Sequence, residues 1–146
     1  MAEPKAQSFE NHGQYRPEYH LGVFFILLAN FLWSTYQLVR GFSAGTLLGF
    51  LMSVAFVVMF FSLRVQILTV QDRVIRLEMR QRFRSVLAAD LANRASSLPL
   101  RQIIALRFAS DEELPSLVSE VVSGQVTAPK EIKQKVRDWQ ADHLRA

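Results

Sequence analysis

The sequence contains no cysteine, and its 146 residues include only six glycines and five prolines. Without cysteine the chain can form neither a disulfide nor a thiolate metal site, and it has no cysteine nucleophile. A chain that needs no disulfide suits a soluble part that stays in a reducing compartment. The composition therefore excludes a small secreted domain that depends on disulfides.

Charged residues are absent from two long apolar runs, residues 21–38 and 44–63. Each run approaches the ~20 residues that a helix needs to cross a hydrocarbon layer about 30 Å thick. Because only residues 39–43 separate the runs, the chain must return directly through the same bilayer. The sequence predicts an all-α membrane protein with a transmembrane hairpin, residues 19–63, whose helices span about 19–38 and 44–63.

The remaining chain divides into an N-terminal tail, residues 1–18, and a longer region after the second span. No proline or glycine lies within residues 50–98, so the second span is predicted to continue as one helix through an extension, residues 64–95. Residues 96–146 are predicted to form a small helical cap. Its predicted helices cover residues 100–108, residues 110–124 and a last helix starting near Thr127. On the last helix one face is predicted to carry Ile132, Val136, Trp139 and His143.

Basic residues indicate the orientation in the membrane. Lys5 and Arg16 precede the first run, Arg40 alone lies in the connector, and six arginines occupy residues 64–84. Because loops rich in lysine and arginine are retained in the cytoplasm, both termini are predicted to be cytoplasmic. Residues 64–107 carry nine arginines against three acidic residues, a net charge of +6, which suits anionic headgroups of the inner leaflet.

Small and polar residues inside the two runs indicate helix packing. Gly45, Gly49 and Ser53 recur every four residues, a spacing that lets another helix approach closely. Asn30 and Ser34 share one face of the first helix, and Asn30 matches Ser53 in depth, so we expect these two residues to meet. A polar path lined by Asn30, Ser34 and Gln37 is the alternative, although an ion path would be expected to carry an intramembrane acid or base.

Two apolar lines follow one another along the predicted extension. The first has the 4-3-4-3 spacing of a coiled coil of about two heptads, and the second begins within it. The first line is Leu63, Ile67, Val70, Val74 and Leu77, and the second is Ile75, Met79, Phe83 and Val86. Between them lies a stripe of arginines, Arg73, Arg76, Arg80 and Arg84. We expect this stripe to contact anionic headgroups or a partner protein. Plain solvation and binding to nucleic acid are the alternatives. Of these, nucleic acid is the less favoured, and we expect none to bind.

Residue patterns typical of an active site are missing. The histidines, His12, His20 and His143, lie in separate segments without metal-ligand spacing. His20 at the entrance of a span could bind a tetrapyrrole, but an interfacial histidine is the favoured interpretation. The acidic run Asp111, Glu112 and Glu113 suits a helix N-terminus better than a cation site. We expect no enzyme activity, no metal site and no cofactor.

Several motifs resemble an uncharacterised bacterial family of small two-span membrane proteins, a domain of unknown function. They are Asn11-His12 with Pro17 and His20, Gln71-Asp72-Arg73 with Ile75-Arg76, the run of residues 103–113, and Lys130-Glu131-Ile132-Lys133 with Trp139, Ala141 and Asp142. The resemblance covers nearly the whole chain and implies a bacterial inner-membrane protein. It implies no activity and no functional residues.

These patterns together predict a non-enzymatic inner-membrane protein that acts in assembly, either with itself or as an accessory subunit of a larger membrane complex. The alternative is a small oligomeric channel or transport component. The packing residues Asn30, Ser34, Gly45, Gly49 and Ser53, and the arginine stripe, are the expected contact sites.

Overall fold

The computed structural model describes Phe9 and residues 18–142, with side chains from residue 21 onward. A π-helical segment, Glu18–Val23, leads into six α-helices. These are α1 (Phe24–Arg40), α2 (Ala44–Val86), α3 (Ala89–Ser96), α4 (Leu100–Leu106), α5 (Leu114–Val122) and α6 (Pro129–Lys135). Residues 18–142 contain no β-strand, so the predicted all-α class is confirmed for them. The N-terminal tail before residue 18, apart from Phe9, and His143 lie outside the described residues.

The chain divides into two compact units. Their described parts are residues 18–68, here called the span unit, and residues 69–142, here called the helical domain. The helix α2 begins in the first unit and ends in the second.

Both predicted spans are long, apolar helices. The segments Leu21–Arg40 and Ala44–Val86 are long and apolar enough to cross a membrane, and the protein buries 0% and 6% of their most apolar windows. The core helix of a soluble protein would be mostly buried. Lipid or other protein must therefore cover these apolar surfaces if they are to leave water.

Aromatic side chains join α1 to α2 within the span unit. The ring centroids of Phe24 and Phe60 are 6.3 Å apart, and those of Phe31 and Phe50 are 5.8 Å apart. Between the helices, Ser43 caps the start of α2, since its Oγ accepts a hydrogen bond from the backbone N–H of Thr46 at 3.1 Å. The Ser43 backbone N–H in turn donates to Thr46 Oγ1 at 2.9 Å.

The helical domain is built around one apolar core. Side chains from the last turns of α2, from α4, α5 and α6, and from the loop after α4 are fully shielded from solvent. The largest of them are Phe83, Phe108, Ile103, Leu106, Leu114 and Ile132. A short bridge pairs Ala109 with Trp139 and brings the chain after α6 back to this core.

The extension after the second span is two helices and not the single helix expected through residue 95. The helix α2 ends at Val86, and α3 begins at Ala89. Leu87 is buried with Ala92 and Ala95 in the core, and Ala88 takes an extended conformation with ψ of 146°. A straight helix would carry Ala92 and Ala95 away from this core, so their burial explains the break without proline or glycine.

The last helix is shorter than predicted. It ends at Lys135, because Val136 is extended with ψ of 120° and Trp139 lies in the bridge with Ala109. Ile132 is buried as expected, but Val136 and Trp139 do not extend its helical face, so that prediction was wrong. The tertiary hydrogen bond from the Gln140 N–H to the Phe108 carbonyl oxygen, 2.7 Å long, holds the extended segment instead.

Helix α5 begins at Leu114, later than the Ser110 start that the sequence suggested. Residues 111–113 form a turn ahead of it. The Ser110 backbone N–H donates to Glu113 Oε1 at 3.4 Å, which is one half of a capping box. Gly124, with φ of +79°, follows the end of α5 in the left-handed conformation that favours glycine.

Candidate interaction surface on helix α2

The first apolar line of α2 is open to the surroundings. We call Leu63, Ile67, Val70, Val74 and Leu77 the seam. Their exposed fractions are 48%, 47%, 61%, 46% and 66% in the same order. Leu63 and Ile67 belong to the span unit, and Val70, Val74 and Leu77 belong to the helical domain. Large apolar side chains that are about half exposed and recur in coiled-coil spacing along a helix are of the kind that binds another helix.

The second apolar line lies on the other side of the same helix and is buried. Ile75, Met79 and Phe83 are 6%, 3% and 0% exposed and belong to the domain core, against which Val86 also packs. At 3.6 residues per turn, the centres of the two lines are roughly 150° apart around the helix axis. The helical domain therefore covers one line of α2 and leaves its own seam residues, Val70, Val74 and Leu77, exposed.

The arginine stripe divides between structural and exposed positions. Arg80 Nη2 donates to the Ser96 carbonyl oxygen at the end of α3, at a distance of 3.4 Å. Arg76 is half-buried, and it lines a cleft of about 480 Å³ together with Arg73 and Asp72. Arg73 and Arg84 are exposed. The stripe is therefore not one uniform cationic surface, since Arg80 contributes to the packing of α3 on α2.

Arg82, which does not belong to the stripe, makes the most polar contacts of any α2 arginine described. Its Nε lies 2.7 Å from Asp111 Oδ1, Nη1 donates to the Arg107 carbonyl oxygen at 3.1 Å, and Nη2 donates to the Ala109 carbonyl oxygen at 2.6 Å. It ties α2 to the loop between α4 and α5. Two of its three acceptors are backbone oxygens, which sequence patterns do not reveal. The third is Asp111, which the sequence predicts only to lie at a helix N-terminus.

An aromatic pair closes the domain at its C-terminal end. Phe108 and Trp139 stack with centroids 4.5 Å apart and an interplanar angle of 19°. The Arg107 guanidinium lies 4.4 Å from the Phe108 centroid and pairs with Asp142 at 3.3 Å. These contacts hold the segment after α6 in place. Their arrangement is structural, since it leaves no open cavity between the rings.

Inside the span unit, the polar side chains that were expected to meet across the two helices form hydrogen bonds within their own helices instead. Ser34 Oγ donates to Asn30 Oδ1 at 3.2 Å, and Ser53 Oγ donates to the Phe50 carbonyl oxygen at 2.7 Å. The hydrogen bonds described for residues 18–142 do not join Asn30 to Ser53. Ser53 is only 1% exposed, whereas Asn30 is exposed, because Asn30 lies about 100° around α1 from the line of Phe24 and Phe31. Asn30 therefore hydrogen-bonds within α1, and no hydrogen bond described for residues 18–142 joins it to α2.

The two glycines of the small-residue stripe are open. A Cβ added at Gly49 would meet no atom within 4 Å, and one at Gly45 would meet only Ser43 Oγ, at 3.7 Å. No other helix among the described residues approaches either glycine. The stripe stays a prediction for contact with another molecule.

The described residues hold no group of three or more His, Cys, Asp or Glu side chains that could bind a metal ion. Two carboxylates of the acidic run, Asp111 and Glu113, contact different groups of the domain. Asp111 pairs with Arg82, and Glu113 accepts hydrogen bonds from the Ser110 and Arg137 backbone N–H groups. These contacts explain both carboxylates without a cation.

Comparison with known proteins gives a family and no activity. Neither the curated proteins nor the solved structures include a match to this chain. One family model does match, and it spans residues 1–146. This chain therefore belongs to a family of unknown function, DUF6526.

Proposed function

We propose that this protein is a non-enzymatic bacterial inner-membrane protein that acts in assembly, or as an accessory subunit of a membrane complex, through helix–helix contacts. In this proposal α1 and the first half of α2 form a transmembrane hairpin. The helical domain lies in the cytoplasm with both termini. In this arrangement the first half of α2 contacts lipid, and the exposed seam on the same helix contacts a protein partner.

The observation that carries the proposal is the exposed seam. Its members are between 46% and 66% exposed, while the domain already has a buried core of its own on the other side of α2. The seam is therefore not needed to fold the domain. Four of the seam residues, Ile67, Val70, Val74 and Leu77, lie beyond the predicted span. Leaving them in water is unfavourable, at about 25 cal/mol for each Å² of apolar surface, and a partner helix would remove that cost.

The arginines of α2 support the orientation. Arg64 follows the predicted end of the second span, and five more arginines lie within residues 73–84. Since Arg73 is ten residues beyond Leu63, it lies about 15 Å along the helix from the span. Arg64 is thus close enough to attract anionic headgroups within a Debye length of about 10 Å, whereas Arg73 lies beyond that length and, like Arg84, is better placed for a protein partner.

Thiol labelling tests the orientation cleanly because the chain has no cysteine. Ser43→Cys lies between the two spans and Ser97→Cys lies between α3 and α4; both side chains are exposed. In intact spheroplasts a membrane-impermeant maleimide should label Ser43→Cys and spare Ser97→Cys until the membrane is permeabilised. Labelling of Ser97→Cys in intact cells would contradict the proposed topology.

Purification in mild detergent with mass measurement tests the assembly role. We expect a mass above that of one chain, from a second copy or from a co-purifying protein. Replacing Val74 and Leu77 with asparagine should remove the extra mass, whereas Thr69→Asn, exposed on another face of α2, should not. A strict monomer with no co-purifying protein would contradict the proposal.

A small oligomeric channel is the second candidate, and one observation favours it. Asn30 is exposed and bonded to Ser34 on the same helix, and polar groups inside a membrane are costly unless they face protein or a water-filled path. Several copies could place Asn30, Ser34 and Gln37 around such a path. Conductance or solute flux from reconstituted protein that is lost in Asn30→Leu would support this candidate, and the absence of any flux would remove it.

A further inference from the structure

We infer that the partner on the seam is a second copy of this chain, and that two α2 helices pair there as a parallel, in-register coiled coil. This inference rests on the proposed assembly role and names the partner. It commits to a dimer held by residues 63–77, with Arg73 of each chain opposite Glu78 of the other.

The first support is the type of side chain at each seam position. In heptad terms Ile67 and Val74 occupy a positions, and Leu63, Val70 and Leu77 occupy d positions. β-Branched residues at a with leucine at d favour two parallel strands over three or four, and Val70 is the one seam residue that departs from this pattern. The next a and d positions are Gln81 and Arg84, so the seam ends where the sequence turns polar.

The second support is access. Val70, Val74 and Leu77 lie on the side of α2 away from the buried Ile75 and Met79, and all three remain exposed beside the folded domain. The exposed faces of these three side chains are open to a second helix, and Val74 borders a cleft of about 510 Å³ that Arg107 and Asp142 also line.

The third support is charge complementarity between two copies. In a parallel pair, a g position of one helix faces the e position five residues later on the other. Arg73 at g then faces Glu78 at e, and the preceding pair is Gln66 with Gln71, which carries no charge to repel. Arg73 and Glu78 are both exposed, and neither forms an ion pair within residues 18–142. Their free charges match what a symmetric dimer requires.

Membrane insertion removes the competing arrangements. Chains inserted in the same orientation carry their α2 helices in the same direction and at the same depth, so an antiparallel or shifted pair is disfavoured. The seam is only about 21 Å long, which is short for a coiled coil in water. Confinement of both chains to one membrane raises their effective concentration and compensates for that length.

Cysteine cross-linking in membranes tests the geometry. Ile67→Cys and Val74→Cys are both at a positions, one heptad apart, and only a parallel, in-register pair brings each cysteine close to its own copy. We expect both variants to form a disulfide-linked dimer on mild oxidation. Thr69→Cys, exposed on another face of α2, is the matched control and should stay monomeric.

Charge reversal then tests the proposed pair. In the Val74→Cys background, Arg73→Glu or Glu78→Arg should lower the cross-linked fraction about fivefold, because two attractive pairs per dimer become repulsive. Combining the two reversals in one chain should restore cross-linking. Equal cross-linking in the two single reversals and in the combined variant would overturn the Arg73–Glu78 pairing.

The outcomes separate this inference from the proposed function. If neither Ile67→Cys nor Val74→Cys cross-links while the wild-type chain purifies with a different protein, the homodimer is wrong and the assembly role stands. If the chain neither cross-links nor exceeds the mass of a monomer, both are wrong. Cross-linking at Thr69→Cys equal to that at Val74→Cys would also overturn the seam as the contact.

Discussion

Phe108 and Trp139 stack with their ring centroids 4.5 Å apart, and this contact joins the end of α4 to the chain beyond α6. The Gln140 N–H donates to the Phe108 carbonyl oxygen next to it, at 2.7 Å. Because thirty residues of sequence lie between the two rings, the contact closes a long loop that includes α5 and α6. The stack and the hydrogen bond together hold the C-terminal segment of the small domain, which lies outside any regular helix.

Truncating Trp139 should therefore weaken the helical domain. Trp139→Ala removes the stacking partner of the fully buried Phe108, and we expect a loss of about 3 kcal/mol in the free energy of unfolding. Denaturant unfolding in detergent, followed by far-ultraviolet circular dichroism, measures this change. Trp33→Ala is the matched control, since Trp33 lies on α1 and is 61% exposed. Equal losses in the two variants would contradict the role of the stack.

Replacing Arg82, even with another cation, should lower the stability of the helical domain. Arg82→Lys keeps the charge but cannot reach Asp111 and the Arg107 and Ala109 carbonyl oxygens together. We expect the domain to lose about 1–2 kcal/mol of stability, the cost of leaving partly buried acceptors unsatisfied. Arg84→Lys changes an exposed arginine two residues later, on the opposite side of α2, and should leave the same unfolding curve unchanged.

Truncating a side chain on the buried face of α2 should lower domain stability, whereas truncating one on the exposed face should lower self-association. Phe83 has no exposed surface, so Phe83→Ala leaves a cavity and should cost about 3–5 kcal/mol of domain stability. Leu77 is 66% exposed, so Leu77→Ala should change the stability of the single chain by less than about 0.5 kcal/mol. The same Leu77→Ala variant should lower self-association, measured by sedimentation in detergent. A large loss of single-chain stability in Leu77→Ala would show that the seam belongs to the core.

The sequence was most informative where local signals and periodicity agreed. The apolar runs without charge predicted the long helices, and the helix predicted from residue 100 begins there as α4. Both apolar lines on α2 were visible as spacings. Their periodicity could not show that the domain covers Ile75, Met79 and Phe83 and leaves the seam open, because burial depends on the helices that follow.

Long-range contacts account for the parts that were missed. The break after Val86 has no proline or glycine, and it exists because Leu87, Ala92 and Ala95 share one core. The spacing of Ile132, Val136 and Trp139 fits a helix, yet the bridge with Ala109 holds Trp139 in extended chain. In both places tertiary contacts override local propensity, and the residues concerned carry no local signal of it.

The open glycines of the second span allow a test that separates folding from association. Since Gly49 is exposed and a Cβ there would meet no atom within 4 Å, we expect the single chain to accommodate Gly49→Ile with no loss of melting temperature. If another helix packs closely on the stripe, the added side chain blocks its approach, and we expect association in detergent to weaken about tenfold, or ~1.4 kcal/mol. Ala55→Ile is the control, because Ala55 is exposed on a face of α2 about 120° away. Wild-type association in Gly49→Ile would confine the dimer contact to the seam, whereas a loss shared by both variants would mean that any added bulk on the lipid-facing surface disturbs the span.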